Sequence, residues 1–160
     1  MSDFILVGRI VNTHGIKGEL RILSDFSKKE VFNVGNNLYI GNDKIKEEIT
    51  SYRVHKDFDM VTFKGYSNIN EVLKYLKSNV YVKRSELNID GYLIEDLIGC
   101  DVLEEESIGK VEDFLYNNGN TLLVIKGSKT FYIPINSNYI KEVDINKRII
   151  ITDNAKELIL

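Results

Sequence analysis

The chain has no tryptophan, one proline, one cysteine and two histidines in 160 residues, and each scarcity removes a class of chemistry. A lone Cys100 can form no internal disulfide, which agrees with a reducing compartment. Its neighbours Ile98-Gly99 and Asp101-Val102 suit a small buried thiol at a strand. His14 and His55 with one cysteine leave a structural zinc site short of ligands, so no metal is expected. No apolar run approaches the roughly 20 residues that cross a bilayer, and Met1-Ser2-Asp3 lacks the basic start of a signal peptide. The expected location is the cytoplasm, without a membrane. The motifs G-x-x-x-x-G-K-S/T, G-x-G-x-x-G and G-x-S-x-G are absent too, which leaves nucleotide and acyl chemistry without a site and implies no cofactor. Asp57 with Asp59, or Glu95 with Asp96, could do acid/base work only in a pocket that shifts their pKa values, and turn or surface roles suit them better. No catalytic residue is expected.

What is present describes a folding, soluble chain with 43% hydrophobic and 28% charged residues. The net charge of −3 is too acidic for a protein that coats nucleic acid through bulk electrostatics. Its distribution says more. Residues 1–84 hold 14 Lys+Arg against 10 Asp+Glu, net +4, whereas residues 85–160 hold 7 against 14, net −7. A basic half can face RNA phosphates, and an acidic half carrying Glu104-Glu105-Glu106 prefers a basic protein, unless that run is only a solvated turn.

Period-two alternation dominates the chain. Strands are predicted over Phe4 to Asn12 with an irregularity at Gly8, then over 19–23, 37–40, 44–55 with a possible break, 60–63 and 80–83. The first two should pair as a hairpin across Gly15-Ile16-Lys17-Gly18. Ile69, Val72, Leu73 and Leu76 fall at i, i+3, i+4 and i+7 and predict one helix, capped by Asn68 or Asn70, that closes an open end of a small barrel. Asn88, Asp90 and Gly91 coincide with the change of charge sign and mark a linker at 86–91 between domains at 1–85 and 92–160. Beyond it, strands are predicted over 100–103, 110–116, 121–126, 131–135 and 148–152, making a second small barrel, with a helical turn over 138–143. Asn117-Asn118-Gly119-Asn120 and Gly127 supply residues that tolerate positive φ in its hairpins. The fold class is mainly β, in two small barrels.

G-x-x-G at Gly15 to Gly18 resembles an RNA-clamping loop, but strands flank it, so His14, Gly15 and Gly18 read as a structural turn with Lys17 able to touch a phosphate. Arg9 and Arg21 are the other candidates to face RNA. Tyr92, Tyr116, Phe131, Tyr132 and Tyr139 are candidates for a binding surface, and of the adjacent Phe131 and Tyr132 only one can point into the core.

Val7-Gly8-Arg9-Ile10, then His14-Gly15-Ile16-Lys17-Gly18-Glu19-Leu20-Arg21 and Ser24-Asp25-Phe26, resemble the opening of the RimM family. Asp96-Leu97-Ile98-Gly99, Gly109-Lys110-Val111, Ile133-Pro134 and Val143-Asp144 resemble the family's PRC-barrel domain in order and spacing. The resemblance implies a first barrel similar to those of translation factors with a capping helix, a PRC-barrel carrying the docking surface, and no catalysed reaction. It further implies binding, as a monomer, to the small ribosomal subunit precursor through the head ribosomal protein S-nineteen, near 16S rRNA, and promotion of late folding of the head. The partner-binding residues implied are Tyr92, Leu93, Asp96 and Leu97. Leu93 stands where the family often has a second tyrosine.

Overall fold

Alternating apolar and polar side chains build twelve strands among the described residues, which are 3–88 and 91–159 of the computed structural model. The chain divides into two compact units, Met1–Ile89 and Asp90–Leu160. Ile89 and Asp90 of the expected linker lie outside the described residues.

In the first unit, β1 (Phe4–His14), β2 (Glu19–Leu23), β3 (Asn37–Ile40), β4 (Ile45–His55), β5 (Phe58–Phe63) and β6 (Asn79–Lys83) form a closed barrel in the order β1-β2-β5-β4-β3-β6. Closure removes both sheet edges, so no backbone ladder is left open to aggregation. Every second residue points inward: Leu20 and Ile22 of β2, Leu38 and Ile40 of β3, and Val80 and Val82 of β6 are all buried. Gly8 sits at a register shift of β1 against β6, where a Cβ would stand 2.7 Å from the Leu23 carbonyl oxygen and 2.9 Å from Ile22 Cγ2. The close approach of β2 therefore demands glycine there. The expected break in β4 is a register shift between Ile49 and Ser51 within one continuous strand.

The helical segment differs from the single helix over 69–76. One turn, α1 (Ile69–Val72), passes into a 3₁₀ turn at Leu73–Tyr75. A three-residue period puts Val72 and Tyr75 on the buried face and turns Leu73 out to solvent. Asn68 is the cap: its side-chain oxygen accepts from Glu71 N–H at 3.3 Å, while the Glu71 carboxylate accepts from Asn68 N–H at 3.1 Å. The Ile69 N–H donates to the Ile16 carbonyl at 2.8 Å, which fastens this cap to the β1–β2 turn.

Arg84–Glu86 forms a 3₁₀ turn in which Glu86 accepts from the Tyr39 hydroxyl at 2.7 Å. The start of the expected linker is thus tied to the first unit.

The second unit holds β7 (Asp101–Glu104), β8 (Glu106–Asn117), β9 (Asn120–Lys126), β10 (Thr130–Pro134), β11 (Ile140–Asp144) and β12 (Ile149–Thr152) in one sheet of order β10-β9-β8-β7-β12-β11. Side chains from both edge strands enter one core: Phe131 and Ile133 of β10, and Ile140 and Val143 of β11, converge on Val102, Val111, Ile125 and Ile150. The six strands thus share one core. Asn118 and Gly119 both take positive φ, as a two-residue hairpin between Asn117 and Asn120 requires.

Two expectations are corrected here. Residues 140–144 are a strand and not a helical turn, because Ile140 and Val143 reach the same core across a register shift between Ile140 and Glu142. The bulge makes an i, i+3 spacing serve a strand. Gly127 does not occupy positive φ, and its need is steric: an added Cβ would collide with the Ile108 carbonyl oxygen.

Candidate binding surfaces

The β1–β2 turn is shaped by Gly15 and Gly18, at φ +70° and +94°, and delivers His14 opposite Glu19. Since Leu20 and Ile22 point inward, Glu19 and Arg21 face out. Barrel order then sets Arg21 beside Met60 of β5, Met60 beside Arg53 of β4, and His55 beside Phe58. One outer corner thereby gathers groups from four strands.

Its geometry is specific. Arg21 Nη2 donates to His14 Nδ1 at 2.7 Å, and the Arg21 guanidinium lies 5.7 Å from the centre of the Phe58 ring. A guanidinium only donates, so His14 accepts at Nδ1 and carries its proton on Nε2. The His14 and His55 ring centres are 5.4 Å apart, with planes inclined at 53°. Arg53 grips Glu19 with both arms, at 2.9 and 2.8 Å. That bidentate bond holds the Glu19 carboxyl below the usual range. His55 is held below its ordinary value by partial desolvation and by the positive charges of Arg53, His14, Lys56 and Arg21. Arg21 Nε is buried and meets no acceptor among the described residues. An open recess of about 430 Å³ adjoins, lined by His14, Gly15, Ile16, Lys17, Glu19 and Thr62, with Ile16 75% exposed.

Lys17 and Arg21 are therefore brought into one neighbourhood. Arg9 is not: it is exposed five residues back along β1, roughly 17 Å of strand from His14, with its Nε 3.4 Å from the Lys77 carbonyl. The His14–His55 proximity was not legible in sequence; the signal that could have found it is the short β4–β5 turn, which sets His55 opposite Phe58 of β5, the strand beside β2.

In the second unit, Tyr92 is half-buried against the core, and a 3₁₀ turn follows at Ile94–Leu97. The Asp96 carboxylate accepts the Leu93 N–H at 2.8 Å, so this acid organises the turn. Leu93 is 1% exposed and Leu97 is fully buried. Of the four residues expected to meet a partner, Tyr92 and Asp96 retain partial exposure, while Leu93 and Leu97 point into the interior. Gly99 takes φ +89°, and Arg148 Nη2 caps the turn by donating to the Ile98 carbonyl at 2.7 Å.

Phe131 is buried and Tyr132 exposed, which settles which of the pair faces out. Register places Tyr132 opposite Val124, and Leu115 opposite Leu122, which in turn pairs with Pro134. These apolar side chains form an outer face of β8, β9 and β10 that strand-by-strand reading did not reveal. Glu104 is committed, accepting the Ala155 N–H at 2.5 Å, whereas Glu105 and Glu106 are exposed. Cys100 is buried, and burial pushes its thiol up. Asp59 is engaged by Lys29 and Tyr52. Among the described residues no cluster of three His, Cys, Asp or Glu could hold a metal ion, and no helix is long and apolar enough to cross a membrane.

Residues 5–87 match the RimM N-terminal domain and residues 94–158 the RimM PRC barrel domain. The chain belongs to the RimM family. A ribosome maturation factor RimM from an Exiguobacterium species is 41% identical over 162 residues, covering 94% of each chain. The ribosome maturation factor RimM of Staphylococcus aureus is 40% identical over 156 residues, covering 91% of this chain and 93% of that one. The fold is shared with the crystal structure of a Pseudomonas aeruginosa 16S ribosomal RNA processing protein RimM, at 20% identity and a TM-score of 0.50, over 97% of this chain and 99% of that one. Both RimM domains are therefore present, one on each structural unit.

Proposed function

We propose that this RimM-family chain is a ribosome maturation factor that docks on the immature small subunit through the head ribosomal protein S-nineteen and promotes late folding and processing of 16S rRNA. It works as a cytoplasmic monomer and makes or breaks no bond in its partner. The observation that carries the reading is the match of both units to RimM domains, joined to a division of charge between them. The acidic second unit attracts a basic ribosomal protein, and the basic first unit lies near rRNA.

Within the second unit, Tyr92 is the anchor, held in place by Asp96 through the 3₁₀ turn, with Leu93 and Leu97 supporting it from the interior. The exposed Tyr132 face offers further apolar contact. Binding of wild-type protein to purified small-subunit precursors tests this. Tyr92→Ala should weaken binding by about 2 kcal/mol, roughly 30-fold. Unchanged affinity in a variant whose circular dichroism matches wild type removes Tyr92 as the anchor.

A second reading makes the first unit a direct RNA binder, with the second only structural. The corner of His14, Arg21, Arg53 and His55 favours it. Salt separates the two: a phosphate-driven complex loses affinity steeply with ionic strength and is indifferent to Tyr92.

A further inference from the structure

We propose that the His14–Arg21–His55 corner of the first barrel is an anion seat that takes a phosphodiester of RNA. The inference rests on the RNA-facing part of the proposed function and assigns it to one outer corner.

The corner carries cationic groups in excess of the acids beside them. Arg21 comes from β2, Arg53 from β4, Lys56 from the β4–β5 turn and Lys17 from the β1–β2 turn. The acids of the neighbouring elements do not balance them. Glu19 is consumed by both arms of Arg53, and Asp59 by Lys29 and Tyr52; Asp57 stands exposed in the β4–β5 turn. The excess is also pre-aimed. Arg21 is held between the Phe58 ring and His14 Nδ1, which fixes its guanidinium. Fixing the fork in advance lowers the entropy lost when it meets an anion.

His14, by accepting at Nδ1, keeps a donor at Nε2, and the His55 ring centre lies 5.4 Å from its own. A phosphodiester has two non-bridging oxygens, which suit a guanidinium on one side and an imidazole N–H on the other. The recess lined by Ile16 and Lys17 continues from His14 and leaves about 430 Å³ open for the attached sugar and base. A protein carboxylate would satisfy the charge but would leave that adjoining space empty.

His55 makes the seat sensitive to pH. In the free protein His55 faces Arg53 on its own strand, Lys56 in the turn, and His14 and Arg21 across the barrel, with Glu19 the acid that reaches it. These charges and partial desolvation disfavour its protonation. A bound phosphate reverses the field, so binding takes up a proton. Affinity is therefore greatest at low pH and declines as pH rises through the histidine range.

The test uses the full chain with labelled oligouridylate, which presents phosphates without stable secondary structure, and inorganic phosphate as a second probe. Wild-type affinity should rise several-fold from about pH 8 to about pH 6. Arg21→Gln should weaken binding and reduce the slope of log affinity against log salt by about one. His55→Gln, at a less committed position, should leave the fold intact and flatten the pH profile. Inorganic phosphate should shift the ring resonances of His14 and His55 in nuclear magnetic resonance spectra.

A pH-independent affinity, a profile unchanged by His55→Gln, or phosphate-induced shifts confined to other residues would overturn the seat. So would an absence of oligouridylate binding. None of these bears on docking, which the Tyr92 variant tests on small-subunit precursors; loss of docking with the oligouridylate profile intact would instead leave the seat standing alone.

Discussion

Replacing Asp59 should loosen the first barrel by an amount that its two partners dictate. Asp59 is 3% exposed on β5, and its carboxylate accepts from Lys29 Nζ at 2.7 Å and from the Tyr52 hydroxyl at 2.6 Å. Lys29 also donates to the Ser24 carbonyl at 2.8 Å, and Ser24 Oγ donates to the Val7 carbonyl at 2.5 Å. One buried acid thus ties β4 and β5 to the segment after β2 and, through Ser24, to β1. A charge-assisted hydrogen bond contributes about 1.5–3 kcal/mol when its partner is left buried. Lys29 retains 43% side-chain exposure, so water recovers part of its loss and the ammonium is not stranded. Asp59→Asn, which preserves size, should therefore cost about 2 kcal/mol, and Asp59→Ala, which also deprives the Tyr52 hydroxyl, about 3 kcal/mol. Two units need not unfold together, so a single denaturation midpoint would mix them. Amide hydrogen exchange at Met60 and Val61 reads the first barrel alone.

The same site makes an alkaline prediction. Burial, and then the hydrogen bond to Asp59, push the Tyr52 hydroxyl well above its ordinary value. A group whose folded pKa is raised contributes stability that is complete below its unfolded value, near pH 10, and is lost as pH climbs toward the folded value. Tyr39, pushed up to about 12 by burial and by Glu86, adds a loss between about pH 10 and about 12. Tyr52→Phe should blunt the alkaline destabilisation of the first barrel. The reasoning fails if Asp59→Ala costs under about 1 kcal/mol, or if Asp59→Ala and Tyr52→Phe prove additive, since contacting partners must couple.

Two further outcomes follow from local geometry. Gly127→Ala should destabilise the second unit by about 2 kcal/mol, because the colliding Ile108 oxygen is backbone and cannot swing away, whereas Gly119→Ala, with open space but positive φ, should cost about 1 kcal/mol. Amide hydrogen exchange at Val111 and Ile125, in the second unit, checks the order. Iodoacetamide should label Cys100 at least about a hundredfold more slowly in the native protein than in urea, since its thiol is buried and pushed up; equal rates would contradict its burial.

Much of the fold was legible because it is encoded locally. Leu20 and Ile22 alternate with outward residues, Asn118-Gly119 suits only a tight turn, and Asn68 with Glu71 forms a cap within four residues. The segments that misled are those where a bulge or a 3₁₀ turn changes the period. Ile140 and Val143 share a face through a register shift, and Leu73 is turned outward by a tightened helix. Gly127 shows a further limit, since glycine can serve positive φ or close approach and its neighbours in sequence do not say which.

The sequence by itself determined the strand-rich composition, the change of charge near residue 85, the turn residues and the RimM motifs. Only the tertiary structure decided that Arg21 and His14 meet His55 from a distant hairpin, and that Leu93 and Leu97 turn inward while Tyr92 keeps an exposed edge. Alternation tells which side of a strand a residue takes. Which strand lies next to it depends on barrel closure and on burying apolar surface contributed by the whole chain, and no local pattern contains that information.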